Sequence, residues 1–422
     1  MNICLMRFGA VVGSEGGTEK VLCNMANEFV NREHNITIIC CEKKQGKPFF
    51  ELSDKVNFVN LNDTGKEIKS CVLLRVKREL LKAVGKLDRT EKDKIFIESR
   101  YDNDYIKNRF NKIIKNIKPD IIIAYDYLAV LFLKYLMKNN LPTIAMLHHD
   151  PIVYFNNDYS KVQINAFNKV DCIQILIENR LNLVKKYCPK VRIEYISNVV
   201  PVVKYEKKNK TYHKIINVAA LVKDRKQQHI VIEAFNKIKN DVRGWMVEFV
   251  GGTKTSKAKA YKEEMLSYIK ENALENNIYF SGISSDVESK LKEADIFAFP
   301  SNSEAFGLAL TEAMAAGLPA IGFRSCPAVN EIIIDGYNGF LCDDGIDDFA
   351  EKMKILMQNE ELRKQMGQNA KESMKQFAPE KIWNQWENLI KEIIKTKDEQ
   401  IPPQLNFSFI ITNKRTYNVN CA

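Results

Sequence analysis

Glu304 and Glu312 stand eight positions apart in "SEAFGLALTEAMAAGLPAIGF" (303–323), a stretch otherwise dominated by Ala, Leu and Gly. On one helix they would be separated by at most about 12 Å at 1.5 Å per residue. Paired carboxylates that cleave a glycosidic bond with retention lie only about 5–5.5 Å apart, so this spacing excludes such a pair. It suits two grips on opposite ends of one extended ligand. Ser301, Asn302 and Ser303 are residues that start helices, Gly317 is a helix terminator, and Pro319 stands where a helix cannot continue. Such a helix directs free amides near Phe306, Gly307 and Leu308 toward an anion, and Gly307 lets that anion approach the backbone. Taken alone, the same residues also fit a capping glutamate and a surface glutamate with no ligand.

Three further stretches carry side chains capable of chemistry. "VKDRKQQH" (222–229) sets Arg225 beside Lys226 at a helix start, either solvated or aimed at an anion. "GSEGGTEKV" (13–21) places Gly16 and Gly17 at a strand-to-helix turn, with Thr18 and Glu19 as helix-start residues. It is not the G-x-G-x-x-G pattern, so a dinucleotide site is not indicated. "IAMLHHDP" (144–151) puts His148 and His149 at the carboxyl end of a strand, with Asp150 placed to orient either. A histidine there can serve as a general base.

The elements that must hold these residues alternate between strand and helix, which implies α/β units with parallel sheets. "NICLMRF" (2–8), "ITIICC" (36–41), "DIIIAY" (120–125), "TIAMLHH" (143–149), "KVDCIQILI" (169–177) and "RIEYIS" (192–197) read as strands of a first domain, residues 1–203. A helix follows the glycine turn over 19–33, and another covers 128–138. The polar stretch "PVVKYEKKNKTYHK" (201–214) reads as the connection to a second domain, residues 204–380. There "IINVAAL", "MVEFVGG", "IYFSG", "DIFAFP", "PAIGF" and "FLC" are short apolar strands. "IWNQWENLIKEIIK" (382–395) is a periodic helix within 381–400, and the tail 401–422 has no readable pattern. Two doubly wound sheets imply a cleft between them, because ligands bind beyond the carboxyl ends of parallel strands.

Composition narrows the class. Apolar content of 45% with 27% charged residues is that of an ordinary globular protein. No signal peptide is expected at the N-terminus, and the most apolar run (121–137) is interrupted by Asp126 and Lys134. A cytoplasmic location is the expectation. The ten cysteines show no C-x-x-C and no regular framework, which predicts buried free thiols. Of the net charge of +10, residues 66–118 carry +8. Within them "CVLLRVKRELLKAVGKLDR" (71–89) is a basic amphipathic helix with Val72, Leu73, Val76, Leu80, Val84 and Leu87 near one face, suited to an anionic membrane surface or to packing on its own domain. Few aromatics are interleaved there, so nucleic acid is not an expected partner.

The opening stretch resembles the Glu-x7-Glu region of family 4 glycosyltransferases, which have the GT-B fold. "VAALVKDRKQQHIVIEAF", "VEFVGG", "YFSGI", "ADIFAFPS" and "EIIIDGYNGFL" follow in that family's order and cover most of 215–345. The resemblance implies a retaining transfer from a nucleotide-diphosphate sugar (UDP-linked donors foremost) to a saccharide or lipid-linked acceptor, in cell-surface polysaccharide or glycolipid biosynthesis. It implies that Glu304 meets the sugar hydroxyls, that Phe306, Gly307 and Leu308 contact sugar and diphosphate, and that Glu312 holds the ribose. Gly252 and Ile283 fall at donor-side positions. Lys226, with Arg225 beside it, would neutralise the leaving diphosphate; the sequence offers no acidic metal-binding cluster, and no metal or other cofactor is expected. Ala220 replaces the basic residue usual after the first strand of the second domain. The Gly16–Gly17 loop would border phosphates and acceptor, and His148, with His149 in reserve, would touch the donor sugar. The departing diphosphate is then the expected proton acceptor. The last helix would cross back to the first domain, and the 66–118 region would contact the inner face of the membrane. The rivals are a nucleotide-sugar 2-epimerase on the same fold, which typically lacks the Glu-x7-Glu spacing, and a non-catalytic homologue. Sugar choice would turn on "SCPAVNE" (325–331), through Cys326, Asn330 and Glu331.

Overall fold

The computed structural model describes residues 1–65, 72–156, 158–201 and 212–400. Short runs of β-branched and other apolar residues are buried on both faces in the central strands and only partly buried in the edge strands Asn57–Asn60, Arg192–Tyr195 and Ile278–Gly282. They form two all-parallel sheets. The first holds β1 (Asn2–Arg7), β2 (Asn35–Cys40), β3 (Asn57–Asn60), β4 (Ile121–Ala124), β5 (Thr143–Met146), β6 (Cys172–Ile175) and β7 (Arg192–Tyr195), in the order β3-β2-β1-β4-β5-β6-β7. The second holds β8 (His213–Val218), β9 (Trp245–Val250), β10 (Ile278–Gly282), β11 (Ile296–Phe299), β12 (Ala320–Phe323) and β13 (Gly339–Cys342), in the order β10-β9-β8-β11-β12-β13. Each order reverses once, beside β1 and beside β8. Chain leaving β1 and β4, or β8 and β11, therefore diverges and opens a crevice.

The expected strands are present, and β3 is an addition that its polar ends, Asn57 and Asn60, concealed. The expected helix over 128–138 is α-helical only from Tyr127 to Leu131 and widens to a π-turn over Phe132–Leu136. There Lys134 is buried and donates to the carbonyls of Asn139 (3.0 Å) and Leu141 (3.3 Å), so it serves the backbone. The connection at 202–211, the 203/204 boundary and the tail 401–422 lie outside the described residues, as do Cys71 and Cys421. The eight described cysteines are free and buried, as expected.

The final helix, Pro379–Gln400, follows the second domain in sequence but packs on the first. Ile382, Trp383, Trp386 and Ile390 share a core cluster with Ile3, Leu5, Ile36 and Ile38. Among the described residues no helix is long and apolar enough to cross a membrane.

At the far end of the second sheet from the crevice, Lys214 and Glu248 form a buried pair at 2.9 Å, joined by Lys290 at 2.5 Å. Burial alone would raise the Glu248 carboxyl, but hydrogen bonds from Lys290 and Lys214 outweigh it and hold the group down at about 2 from 4.5. The folded value is depressed, so this contribution to stability is complete above pH 4.5 and is lost as pH falls toward 2. Urea midpoints across that range should fall, and Glu248→Gln should remove much of the fall.

Candidate functional site

The loops leaving β1, β8 and β11 converge with those of β5, β9 and β10 on one interdomain cavity of about 670 Å³. Every residue given a catalytic, donor or acceptor-loop role borders it: Gly16, Gly17, His148, Arg225, Lys226, Gly252, Ile283, Glu304, Phe306, Gly307, Leu308 and Glu312. Positions separated by nearly 300 residues of sequence thus line one cavity from its two sides.

The helix bearing Glu312 starts later than its sequence suggests. It runs from Leu308 to Ala315, capped by Gly307 at φ 74°, a conformation that glycine adopts without steric cost. Ser301–Ser303 are therefore loop residues, and Glu304 lies on that loop and not on the helix. The estimate of about 12 Å along one helix does not apply, although the two carboxylates remain separate groups on one cavity. Gly317, at φ 78°, ends the helix one residue after its Ala316 cap. Among the described residues, no acceptor takes the Phe306, Gly307 or Leu308 amides, as expected at a helix mouth.

The cations sit on a short helical turn, Lys223–Lys226, that is tied to this loop. Asn302 donates its amide to the Arg225 carbonyl (3.1 Å) and its side chain to the Asp224 carbonyl (2.8 Å). Lys226 Nζ donates to Glu304 Oε1 and lies 5.3 Å from the centre of the Phe299 ring. Both side chains of that pair are nearly buried. Arg225 is exposed and turns toward the first domain: after burial, its charge is the largest influence pushing His149 below its ordinary value. Ala220 is exposed on the cavity wall and brings no charge. Gly252 lies under Ile283, where a Cβ would come within 2.9 Å of that side chain, and Ile283 itself is 55% exposed.

On the first-domain side, a Cβ on Gly17 would stand 3.0 Å from Leu308 Cδ1, so the mouths of two helices face each other across the cleft. A Cβ on Gly16 would strike Glu19, whose carboxylate accepts from Arg7 at 2.5 Å. His148 stacks on Tyr125 with ring centres 5.1 Å apart, and its Nε2 is sealed from solvent without a partner. Burial, then Arg7 and His149, push its pKa down to about 3, which leaves it neutral and a weak base. Asp150 orients neither histidine: it takes two hydrogen bonds from Arg180, both 2.9 Å, and caps the turn at Ile152.

The "SCPAVNE" segment does not present free groups to the cleft. Cys326 is fully buried, Asn330 donates to the Arg324 carbonyl, and Glu331 accepts the amides of Glu178 (3.2 Å) and Asn179 (3.1 Å). Sequence reading also missed Lys20, Asn198 and Lys254, which line the cavity. Lys20 pairs with Glu312 at 2.5 Å and Lys254 with Glu15 at 3.1 Å, both across the cleft. A cation in the first turn of a helix, the electropositive end, was the available signal for Lys20. Among the described residues no cluster of His, Cys, Asp or Glu has the arrangement to hold a metal ion.

Residues 203–373 match the family model described as "Glycosyl transferases group 1". An uncharacterized glycosyltransferase of Haemophilus influenzae is 23% identical over 388 residues, covering 90% of this chain and 97% of that protein. An N-acetyl-alpha-D-glucosaminyl L-malate synthase of Bacillus anthracis is 27% identical over 296 residues, 66% of this chain and 73% of that protein. Among solved structures, a mutant of TarM from S. aureus, in complex with fondaparinux, alpha-GlcNAc-glycerol and UDP, superposes with a TM-score of 0.69 at 15% identity, covering 92% of this chain and all of that one. The chain has the GT-B fold, and these matches together support a GT-B glycosyltransferase.

Proposed function

We propose that the protein is a retaining, family 4-type glycosyltransferase that moves a sugar from a UDP-linked donor to a saccharide or lipid-linked acceptor in cell-surface polysaccharide or glycolipid assembly. The observation that carries this reading is one cleft that gathers Lys226, Glu304, the Phe306–Leu308 amides and Glu312. The TarM mutant's complex with UDP and alpha-GlcNAc-glycerol supports the donor class.

In the proposed reaction the Leu308 helix mouth and Lys226, with Arg225, neutralise the charge that grows on the leaving diphosphate, without a metal ion. Glu304 holds the sugar hydroxyls and Glu312 the ribose, while Ile283 over Gly252 offers an apolar platform to the nucleobase. The acceptor enters over Gly16–Gly17 and His148, and its proton passes to the departing diphosphate. The low basicity of His148 favours that route over general-base action. Closure of the cleft keeps water from competing as nucleophile. A panel of nucleotide sugars scored by thermal shift and slow acceptor-free hydrolysis tests the reading, which fails if none binds. Glu312→Ala should weaken bare UDP, whereas Glu304→Ala should weaken only sugar-bearing donors. Equal loss of UDP affinity in both would sink this division of labour.

The 66–118 region belongs to the same proposal. Residues 66–71 lie outside those described. Beyond them, the helix Val72–Ala83 and the residue after it leave Leu73, Val76, Leu80 and Val84 more than half exposed, among Arg75, Lys77, Arg78 and Lys82. This unburied face supports peripheral contact with an anionic membrane. The protein should co-sediment with vesicles containing phosphatidylglycerol and not with phosphatidylcholine alone, and Leu73→Asp with Leu80→Asp should abolish the difference.

A further inference from the structure

We propose that Lys20 is a charged stand-in for the donor: it pairs with Glu312 and passes to the donor's diphosphate when the ribose takes Glu312. This rests on the reading of Glu312 given above.

Lys20 Nζ lies 2.5 Å from Glu312 Oε1, although the two residues belong to different domains. Lys20 stands in the first turn of the helix Gly17–Asn31, where the positive end of the helix dipole disfavours a cation. The acid beside it, Glu19, is engaged by Arg7 and cannot compensate. Glu312 is thus its neutralising partner. Two features make the pair exchangeable. The Lys20 side chain is 38% exposed and can swing on its flexible stem. Glu312 lies four residues into its helix, about 6 Å from the mouth at Leu308, and Gly17 brings the Lys20 helix against that same mouth. An anion at the mouth is therefore within reach of Lys20.

A nucleoside diphosphate offers both replacements in one molecule: hydroxyls for the carboxylate and oxyanions for the ammonium. Neither group is left without a partner in a half-closed cleft, as would happen if the ribose arrived alone. Lys226 and Glu304 repeat the arrangement within the second domain, so both carboxylates assigned to the donor are held by lysines. The domains do not depend on the Lys20 pair for contact, because Lys254–Glu15 and the Glu331 hydrogen bonds also cross between them.

The test compares uridine with UDP, and guanosine with GDP alongside, by saturation-transfer NMR and calorimetry on the full chain. Lys20→Met should bind the nucleoside about fivefold more tightly and the diphosphate about fivefold more weakly, so that their affinity ratio falls roughly 25-fold. Lys20→Arg should preserve the ratio and show that the charge is what matters. A ratio within about twofold of the unmodified protein in Lys20→Met, or equal losses for both ligands, overturns the proposal. Glu312→Ala separates the two ways of failing. If it weakens the nucleoside while Lys20→Met leaves the ratio unchanged, only the stand-in is wrong. If it leaves the nucleoside unaffected, the assignment of Glu312 to the ribose fails, and the stand-in fails with it.

Discussion

Lys226→Ala should lower kcat by about 10²- to 10³-fold, the usual consequence of removing one preorganised group from developing negative charge. The expectation rests on how firmly the side chain is placed. Its turn is fixed by a hydrogen bond from the Lys226 amide to the Val222 carbonyl (2.8 Å) and by Asn302 clasping the two preceding carbonyls. The ammonium is held between Glu304 and the Phe299 ring. Removing it also leaves Glu304 unpaired beside the phosphate site, and that alone would repel the donor. A double mutant resolves the ambiguity. If Lys226 only neutralises Glu304, then Lys226→Ala combined with Glu304→Gln should recover most of the rate lost by Lys226→Ala. If it stabilises the leaving diphosphate, the double mutant should remain at least as slow. Recovery would remove Lys226 from the reaction and assign its place to Arg225.

Trp386→Ala should destabilise the first domain by about 3–5 kcal/mol, the range for deleting a large buried aromatic. Trp386 is 2% exposed within the cluster that contains β1 and β2, and Trp383 meets Phe29 edge-on with ring centres 5.8 Å apart. Polar contacts guide the same docking: Arg32 bonds Asn384 (2.7 Å) and Glu387 (3.0 Å), and Lys397 bonds Asp171 (2.8 Å). Hydrogen exchange should accelerate in β1 and β2 and stay slow in β8 and β9. Uniform acceleration in both sheets would mean that the domains unfold as one unit.

What the sequence discloses follows from the range over which each interaction acts. Parallel strands buried on both faces, such as "DIIIAY" and "DIFAFP", announce themselves because their neighbours are all apolar. The periodic "IWNQWENLI" shows its apolar stripe, but only the family resemblance indicated which domain receives it. The start of the helix after Glu304 was misplaced because Ser and Asn mimic caps, while the real boundary is set by the backbone angle of Gly307. Lys20 escaped notice because its partner lies 292 residues away, beyond any local pattern. The roles of Asp150 and Glu331 were hidden for the same reason: each is decided by a residue or amide brought in from another element.

The return of the last helix means that the chain passes between the domains twice, once before β8 and again at Ala378. Where the two crossings approach, the Val200 amide donates to the Phe377 carbonyl at 3.0 Å. That bond ties the end of the first domain to the last turn before the returning helix, and so resists twisting of one sheet against the other. A single protease cut between β7 and β8 would accordingly leave the halves joined in register. A circular permutant opened there, with its old ends linked, should retain an intact cleft.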